Sequence, residues 1–104
     1  MIISQLNFLG DYKQKTPTGS LVSYALGDSV YFNNETYVAS REVIGHSPAI
    51  GIKVGWICLS KTQVLYETET EPFYSKPGDE WFNTLTGIKY SRINDTNGDH
   101  WVQF

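Results

Sequence analysis

The sequence predicts an all-β protein, made of two small antiparallel β modules packed in tandem. Helical periodicity is missing. No window of a dozen residues spaces its apolar side chains at i, i+3, i+4 and i+7 without a Gly, Pro or β-branched interruption. Short runs rich in Val, Ile, Tyr, Phe and Thr alternate instead with turn residues. Aromatic residues make up 14% of the 104 residues and include seven Tyr and three Trp, which favours β structure.

The N-terminal module is expected over residues 1–60. Its elements are, in order, a strand over 2–9, a polar loop over 13–20, a strand over 21–26, a hairpin over 29–39, a loop over 43–54 and an apolar strand over 55–59. Asn33 and Asn34 suit the hairpin turn because Asn tolerates positive φ. Gly27-Asp28 is expected to be a turn in which the Asp28 carboxylate accepts backbone N–H bonds.

The C-terminal module is expected over residues 61–104. It begins with a strand and connector over 62–72 and continues through a turn at 76–79, where Gly78-Asp79 repeats the Gly-Asp pair. A three-stranded meander follows, with strands over 80–82, 88–93 and 100–104. Trp81, Tyr90 and Trp101 are expected to pack together on one side of this sheet.

Modules of this size bury too little surface to be comfortably stable alone. The single cysteine, Cys58, excludes an internal disulfide framework and a multi-cysteine zinc site. We therefore expect the modules to pack on each other or on other subunits.

Composition argues against nucleic-acid and membrane partners. Eight Lys and Arg face eleven Asp and Glu, for a net charge of -3, so there is no basic footprint. The apolar stretches are far shorter than the roughly 20 residues of a membrane span. No basic region followed by an apolar run opens the chain, so no signal peptide is predicted.

Catalysis and cofactor binding have little support in the sequence. Neither G-x-S-x-G nor H-E-x-x-H is present. Cys58 lies in an apolar strand, which favours a buried thiol over a nucleophile. Asp79 and Glu80 are adjacent and indicate a turn and a strand start. The sequence therefore predicts no enzyme and no cofactor.

Metal binding is also disfavoured. His46 and His100 lack a third nearby ligand, which favours ordinary surface histidines. Residues 94–99 (NDTNGD) loosely resemble a calcium loop, but the bidentate Glu near its twelfth position is missing. The favoured interpretation is an Asn/Asp/Gly hairpin turn, and no metal site is expected.

The binding candidates are acidic and aromatic. Glu67, Glu69 and Glu71 share one face if the chain is extended over 65–71. They either meet a basic partner or discourage unwanted strand pairing at an edge. Most aromatic rings are expected in the core, and the exposed remainder is suited to anchor a sugar or a protein.

The N-terminal module resembles small β modules of phage tail and appendage proteins, which are similar to chitin-binding modules of carbohydrate-active enzymes. The matching residues are Phe8-Leu9-Gly10-Asp11-Tyr12, Tyr24, Gly27-Asp28-Ser29-Val30, Tyr37-Val38-Ala39, Gly45, Pro48 and Trp56. The resemblance covers about residues 6–60. Chitin binders usually carry adjacent aromatics just after the Tyr-x-Ala strand, and this place holds Ser40-Arg41-Glu42-Val43 here.

The C-terminal module resembles a repeat of phage tail-fibre, collar and other virion structural proteins. The matching residues are Pro77-Gly78-Asp79-Glu80-Trp81-Phe82-Asn83, Thr86-Gly87, Tyr90, Gly98, Trp101 and Val102. The match runs in register over about 30 residues and is the more specific of the two.

Together the two resemblances imply a phage virion structural protein. The expectation is a capsid decoration (cement) protein or small appendage subunit that binds capsid or tail proteins and forms a homo-oligomer. The alternative is a tail-fibre, receptor-binding or carbohydrate-binding module that recognises a host surface polysaccharide. The candidate contact residues are Tyr12, Glu67, Glu69, Glu71, Phe73 and Tyr74.

The residues expected to be structural complete the sequence-based predictions. They are Asp28, Tyr37, Trp56, Asp79, Trp81, Tyr90 and Trp101.

Overall fold

Strands dominate the computed structural model, which describes residues 1–104. They comprise 45% of the chain, against 10% in short helical turns, so the all-β prediction is confirmed. In chain order the strands are β1 (Ile2–Ile3), β2 (Asn7–Asp11), β3 (Ser23–Tyr24), β4 (Asp28–Phe32), β5 (Glu35–Ala39), β6 (Val43–Ile44), β7 (Trp56–Cys58), β8 (Leu65–Thr68), β9 (Glu80–Asn83), β10 (Lys89–Asp95) and β11 (Gly98–Gln103). The helical turns are 3₁₀ segments at Pro48–Val54 and Leu59–Lys61.

The chain divides into two units, and the N-terminal residues belong to the later one. The N-terminal unit is Leu6–Leu59, and the C-terminal unit combines Met1–Gln5 with Ser60–Phe104. The single strand expected over 2–9 is therefore wrong, because β1 pairs in parallel with β8 while β2 joins the other unit. Burial explains the exchange, since Ile3 is 5% exposed beside its register partner Tyr66, which is fully buried.

The N-terminal unit has a four-stranded sheet in the order β2-β4-β5-β7 and a two-stranded β3-β6 sheet. The β4–β5 hairpin turns at Asn33 and Asn34, whose φ values of 50° and 64° confirm the predicted left-handed turn. Its core centres on one group of side chains: Tyr24, Val30, Ala39, Val43 and Trp56.

The C-terminal unit is a five-stranded sheet in the order β1-β8-β9-β10-β11. Strands β9, β10 and β11 form the predicted antiparallel meander. The NDTNGD segment is the predicted hairpin turn, because Asp95 pairs with Gly98 and its carboxylate accepts from the Asn97 N–H at 2.8 Å.

The sequence predicted antiparallel pairing throughout, but some of the strand pairs are parallel. Strand β2 pairs in parallel with β4, and β8 pairs in parallel with β9. Residues 12–27 and 69–79 make the crossovers, which are long enough to return the chain to the same end of the sheet. Strands β8-β9-β10-β11 therefore repeat the plan of β2-β4-β5-β7, a parallel pair followed by two antiparallel neighbours, and β1 adds one more parallel strand to the C-terminal sheet.

Each Gly-Asp pair closes the turn that leads into the second parallel strand. Asp28 accepts from the Ala25 N–H at 2.8 Å, and the Asp28 N–H donates to the Ala25 carbonyl at 3.0 Å. Asp79 makes the same two bonds with Lys76, at 3.1 and 3.0 Å. The turn prediction is confirmed at both positions.

Candidate interaction surfaces

One side of the C-terminal sheet carries the predicted aromatic cluster. Trp81 stacks on Tyr90 with ring centroids 4.8 Å apart, and Trp101 lies 5.7 Å from Trp81. The Arg92 guanidinium lies over the Trp101 ring at 5.4 Å. The prediction that these three rings pack together is confirmed, with Trp81 buried and Tyr90 and Trp101 half-buried.

The opposite side of this sheet, called the outer face here, carries apolar side chains among polar and charged ones. Because side chains alternate along a strand, the residues between the core positions point to it. None of its residues is buried. The side chain of Ile2 is 62% exposed, and that of Val102 is 39% exposed. Its apolar members are Ile2, Leu65, Phe82, Ile93 and Val102.

A charged pair lies in the middle of the outer face. Lys89 Nζ is 3.5 Å from Glu80 Oε2 and lies 5.3 Å from the centre of the Phe104 ring. A shallow cavity of about 250 Å³ opens beside this pair, lined by Leu65, Glu67, Phe82 and Lys89. The arrangement combines apolar contact area with a directional polar centre.

Strand β11 ends the sheet, so its outer edge has no partner strand. The Lys89 carbonyl accepts from Phe104 N–H on the β11 side, whereas the Arg92 backbone bonds to residues 78 and 79 on the β9 side. Alternation in an antiparallel ladder then turns the backbone groups of Asp99, Trp101 and Gln103 outward. Such an edge can accept another strand.

A second surface, the cationic pocket, lies in the N-terminal unit. Its cavity of about 460 Å³ is lined by Arg41, Glu42, Val43, Ile44, His46, Lys53 and Val54. Arg41 follows β5, and Lys53 lies in the last turn of a 3₁₀ segment, so two separate parts of the sequence supply the charges. Trp56 Nε1 donates to the His46 carbonyl at 2.9 Å and anchors that loop to the core.

The predicted contact residues are not all exposed. Tyr12 lies inside the aromatic cluster of the N-terminal unit, 5.7 Å from Tyr24 and 6.1 Å from Trp56 between ring centroids. Its hydroxyl is buried without a hydrogen-bond partner, and burial raises its pKa, with a further contribution from Tyr24. Tyr12 is half-buried and packs against the core, so its ring offers a partner less area than a fully exposed aromatic, and its role as a contact residue stays a prediction.

The acidic and C-terminal candidates lie nearer the surface. Strand β8 ends at Thr68, so the extended stretch expected over 65–71 is shorter than predicted. Glu69 and Glu71 are exposed, Glu67 is half-buried, and Phe73 is 50% exposed. Tyr74 is half-buried.

A buried polar cluster supports the start of β9. The fully buried Asp79 carboxylate accepts from the Val64 N–H at 3.1 Å and forms an ion pair with Lys76 Nζ at 2.8 Å. The Tyr66 hydroxyl is buried without a hydrogen-bond partner. Its burial raises the pKa of that hydroxyl, and Asp79 and Tyr74 raise it further.

The remaining titratable candidates are Cys58, His46 and His100, and the three lie in separate parts of the chain. Cys58 is half-buried, not the core thiol we expected, and its thiol lies 3.3 Å from Glu35 Oε2. His100 Nε2 lies 3.6 Å from Asp95, and His46 is exposed.

No three His, Cys, Asp or Glu side chains converge in a way that would hold a metal ion. None of the helical segments has the length and hydrophobicity to span a bilayer.

No protein-family model, curated protein or solved structure matches this chain. Sequence reasoning missed both the outer face and the cationic pocket. The outer face had a readable signal, since Lys89, Ser91 and Ile93 alternate with Tyr90 and Arg92 along one strand. The pocket had none, because its residues meet only through tertiary folding.

Proposed function

We propose that this protein is a non-catalytic structural subunit of a phage virion, a capsid decoration protein or small appendage subunit that binds a larger virion assembly. The observation that carries the proposal is the outer face of the C-terminal sheet. A sheet face on which apolar side chains such as Ile2 and Val102 stay exposed around a charged pair suits a partner surface.

The composition of the outer face supports protein contact. Phe82 and Val102 provide apolar area, and rigid rings or branched side chains lose little entropy on binding. The Lys89–Glu80 pair adds a polar centre that can fix the orientation of a partner. The free edge of β11 extends this surface with backbone donors and acceptors.

The phage assignment rests on the two sequence resemblances. Both Gly-Asp turns on which they depend adopt the same closed geometry. Trp81, Tyr90 and Trp101, which the virion repeat shares, form one packed cluster. These features support a common scaffold with the virion modules.

The test is localisation on purified particles by cryo-EM, together with co-sedimentation of added protein. Val102→Glu should weaken particle binding because it places a charge on the outer face. Leu85→Glu is the matched control, since Leu85 is 75% exposed in the turn before β10. Equal binding by the two variants, or wild-type protein absent from capsids and tails, would contradict the proposal.

Recognition of a host surface polysaccharide is the second candidate. Phe8 and Tyr31 favour it, because they lie on one side of the β2–β4 pair and are 47% and 41% exposed. Exposed rings on a rigid sheet can stack on sugars. A pull-down with chitin and other insoluble polysaccharides tests this candidate, and Tyr31→Ala should reduce any binding seen.

A further inference from the structure

The cationic pocket holds charges without counter-ions. The ion pairs of the structure are Lys76–Asp79 and Lys89–Glu80, with His100–Asp95 as a third when the imidazole is protonated, and none includes Arg41 or Lys53. Both side chains line one cavity on a chain whose net charge is -3. Glu42 is the only acidic residue among the lining side chains. The pocket is therefore a positive site on an acidic protein.

Arg41 is held in place before any ligand arrives. Its Nη2 donates to the Lys53 carbonyl at 2.6 Å. Gly55 leaves room for the side chain, because a Cβ at that position would lie 2.8 Å from Arg41 Cγ. One hydrogen bond leaves most of the five guanidinium N–H donors available, and their planar arrangement suits a carboxylate.

The same chain carries a surface of opposite charge. We call Glu67, Glu69 and Glu71, with the threonines between them, the acidic segment. None of the three carboxylates takes part in an ion pair. The segment has a fixed shape, because Thr68 Oγ1 donates to the Thr70 carbonyl at 2.7 Å and Trp81 Nε1 donates to the Thr68 carbonyl at 3.2 Å.

We propose that the acidic segment of one copy docks in the cationic pocket of a second copy. Carboxylates of the segment bind Arg41 and Lys53, and the threonine methyl groups face the apolar wall, where Ile44 is 47% exposed. Each copy offers one segment and one pocket, so the contact joins two unlike surfaces. It closes as a reciprocal dimer or continues as a ring or filament.

This contact goes beyond the proposed function and uses a second surface, which meets the outer face only at Glu67. The outer face binds a larger virion assembly, whereas the pocket and segment join copies of the chain. Self-association can be measured on the purified protein alone, so its failure leaves the particle-binding proposal to be decided separately.

Sedimentation velocity over a concentration series gives the first readout. Wild-type protein should associate at about 0.05 M NaCl and dissociate at about 0.5 M NaCl, where exposed charges are screened. Arg41→Glu with Lys53→Glu should weaken association by more than about tenfold. Glu69→Lys with Glu71→Lys should do the same without touching a packed residue, so a folding defect in the first variant does not decide the test.

The matched control changes the same net charge elsewhere. Lys13 and Lys15 are exposed and lie outside the pocket, and Lys13→Glu with Lys15→Glu should associate like the wild type. A loss in this control equal to that of the pocket variant would show that net charge alone matters and would overturn the proposal.

Mixing provides the decisive experiment. The pocket variant and the segment variant should each stay monomeric. Their mixture should form complexes that contain the two variants in equal amounts, because the segment of each variant is opposite in charge to the pocket of the other. Monomeric wild type at low salt, or a mixture that does not associate, would refute the contact.

Discussion

Lys76 and Asp79 hold each other through three contacts. The Asp79 carboxylate accepts from the Lys76 backbone N–H at 3.1 Å, the Asp79 N–H donates to the Lys76 carbonyl at 3.0 Å, and the two side chains form an ion pair at 2.8 Å. Asp79 is fully buried, whereas the Lys76 side chain is 24% exposed. The turn before β9 is thus fixed by backbone and side chain together.

Removing this carboxylate should be costly. Asp79→Ala leaves the Val64 and Lys76 N–H groups without their acceptor. It also removes the carboxylate partner of the Lys76 ammonium, which keeps only the Thr62 carbonyl, so we expect a loss of about 3 kcal/mol in unfolding free energy. Urea unfolding followed by tryptophan fluorescence measures it. Asp28→Ala is the matched control in a half-buried copy of the same turn and should cost about 1 kcal/mol. Equal losses would show that burial of Asp79 adds nothing.

Trp101→Ala should lower the unfolding free energy of the C-terminal unit by about 3 kcal/mol. This is the lower end of the range for removing a packed tryptophan, because the ring is half-buried. It removes contacts with Trp81 and Arg92. Val102→Ala, on the other side of the same strand, should cost less than about 1 kcal/mol because Val102 is 39% exposed. Thermal unfolding compares the two variants, and a neutral Trp101→Ala would contradict the core assignment.

Tyr66 should make the protein sensitive to alkali. Its pKa is raised by burial, so the folded state keeps the phenolic proton where the unfolded chain, with an ordinary pKa of about 10, releases it. The contribution is fully present below about pH 10 and is lost as pH rises further.

Tyr66→Phe should therefore flatten the fall in unfolding free energy above about pH 10, at little cost at pH 7, since the hydroxyl has no hydrogen-bond partner. Denaturant titrations across this range measure the slope. Tyr31→Phe, at an exposed ring, should leave the slope unchanged. An unchanged slope in Tyr66→Phe would rule out this origin.

Two substitutions at Asn34, in the β4–β5 turn, should change the free energy of unfolding in opposite directions. Asn34→Gly should stabilise by about 0.5 kcal/mol, since Gly adopts the positive φ of 64° without strain. Asn34→Ala should destabilise by about 1 kcal/mol because a methyl group is strained there. Chemical denaturation compares both with wild type, and effects of the same sign would contradict the turn geometry.

Local chemistry explains what could be predicted from sequence. The Asn33-Asn34 hairpin, both Gly-Asp turns and the Trp81 cluster depend on residues whose preferences act over a few positions or within one hairpin. The parallel strands escaped prediction because Ile2-Ile3 shows no preference between partners until Tyr66 is placed beside it. The partial burial of Tyr12 escaped prediction for the same reason, since it depends on Tyr24 and Trp56.

The pairing of β1 with β8 also sets an order of events during synthesis. Ile2 leaves the ribosome long before its partner Leu65, and residues 6–59 form a unit of their own in between. That unit can fold while Ile2 and Ile3 remain an unpaired apolar segment. Completion of the C-terminal sheet thus depends on residues made well before the rest of that sheet, and during this interval another protein can compete for their unpaired backbone groups.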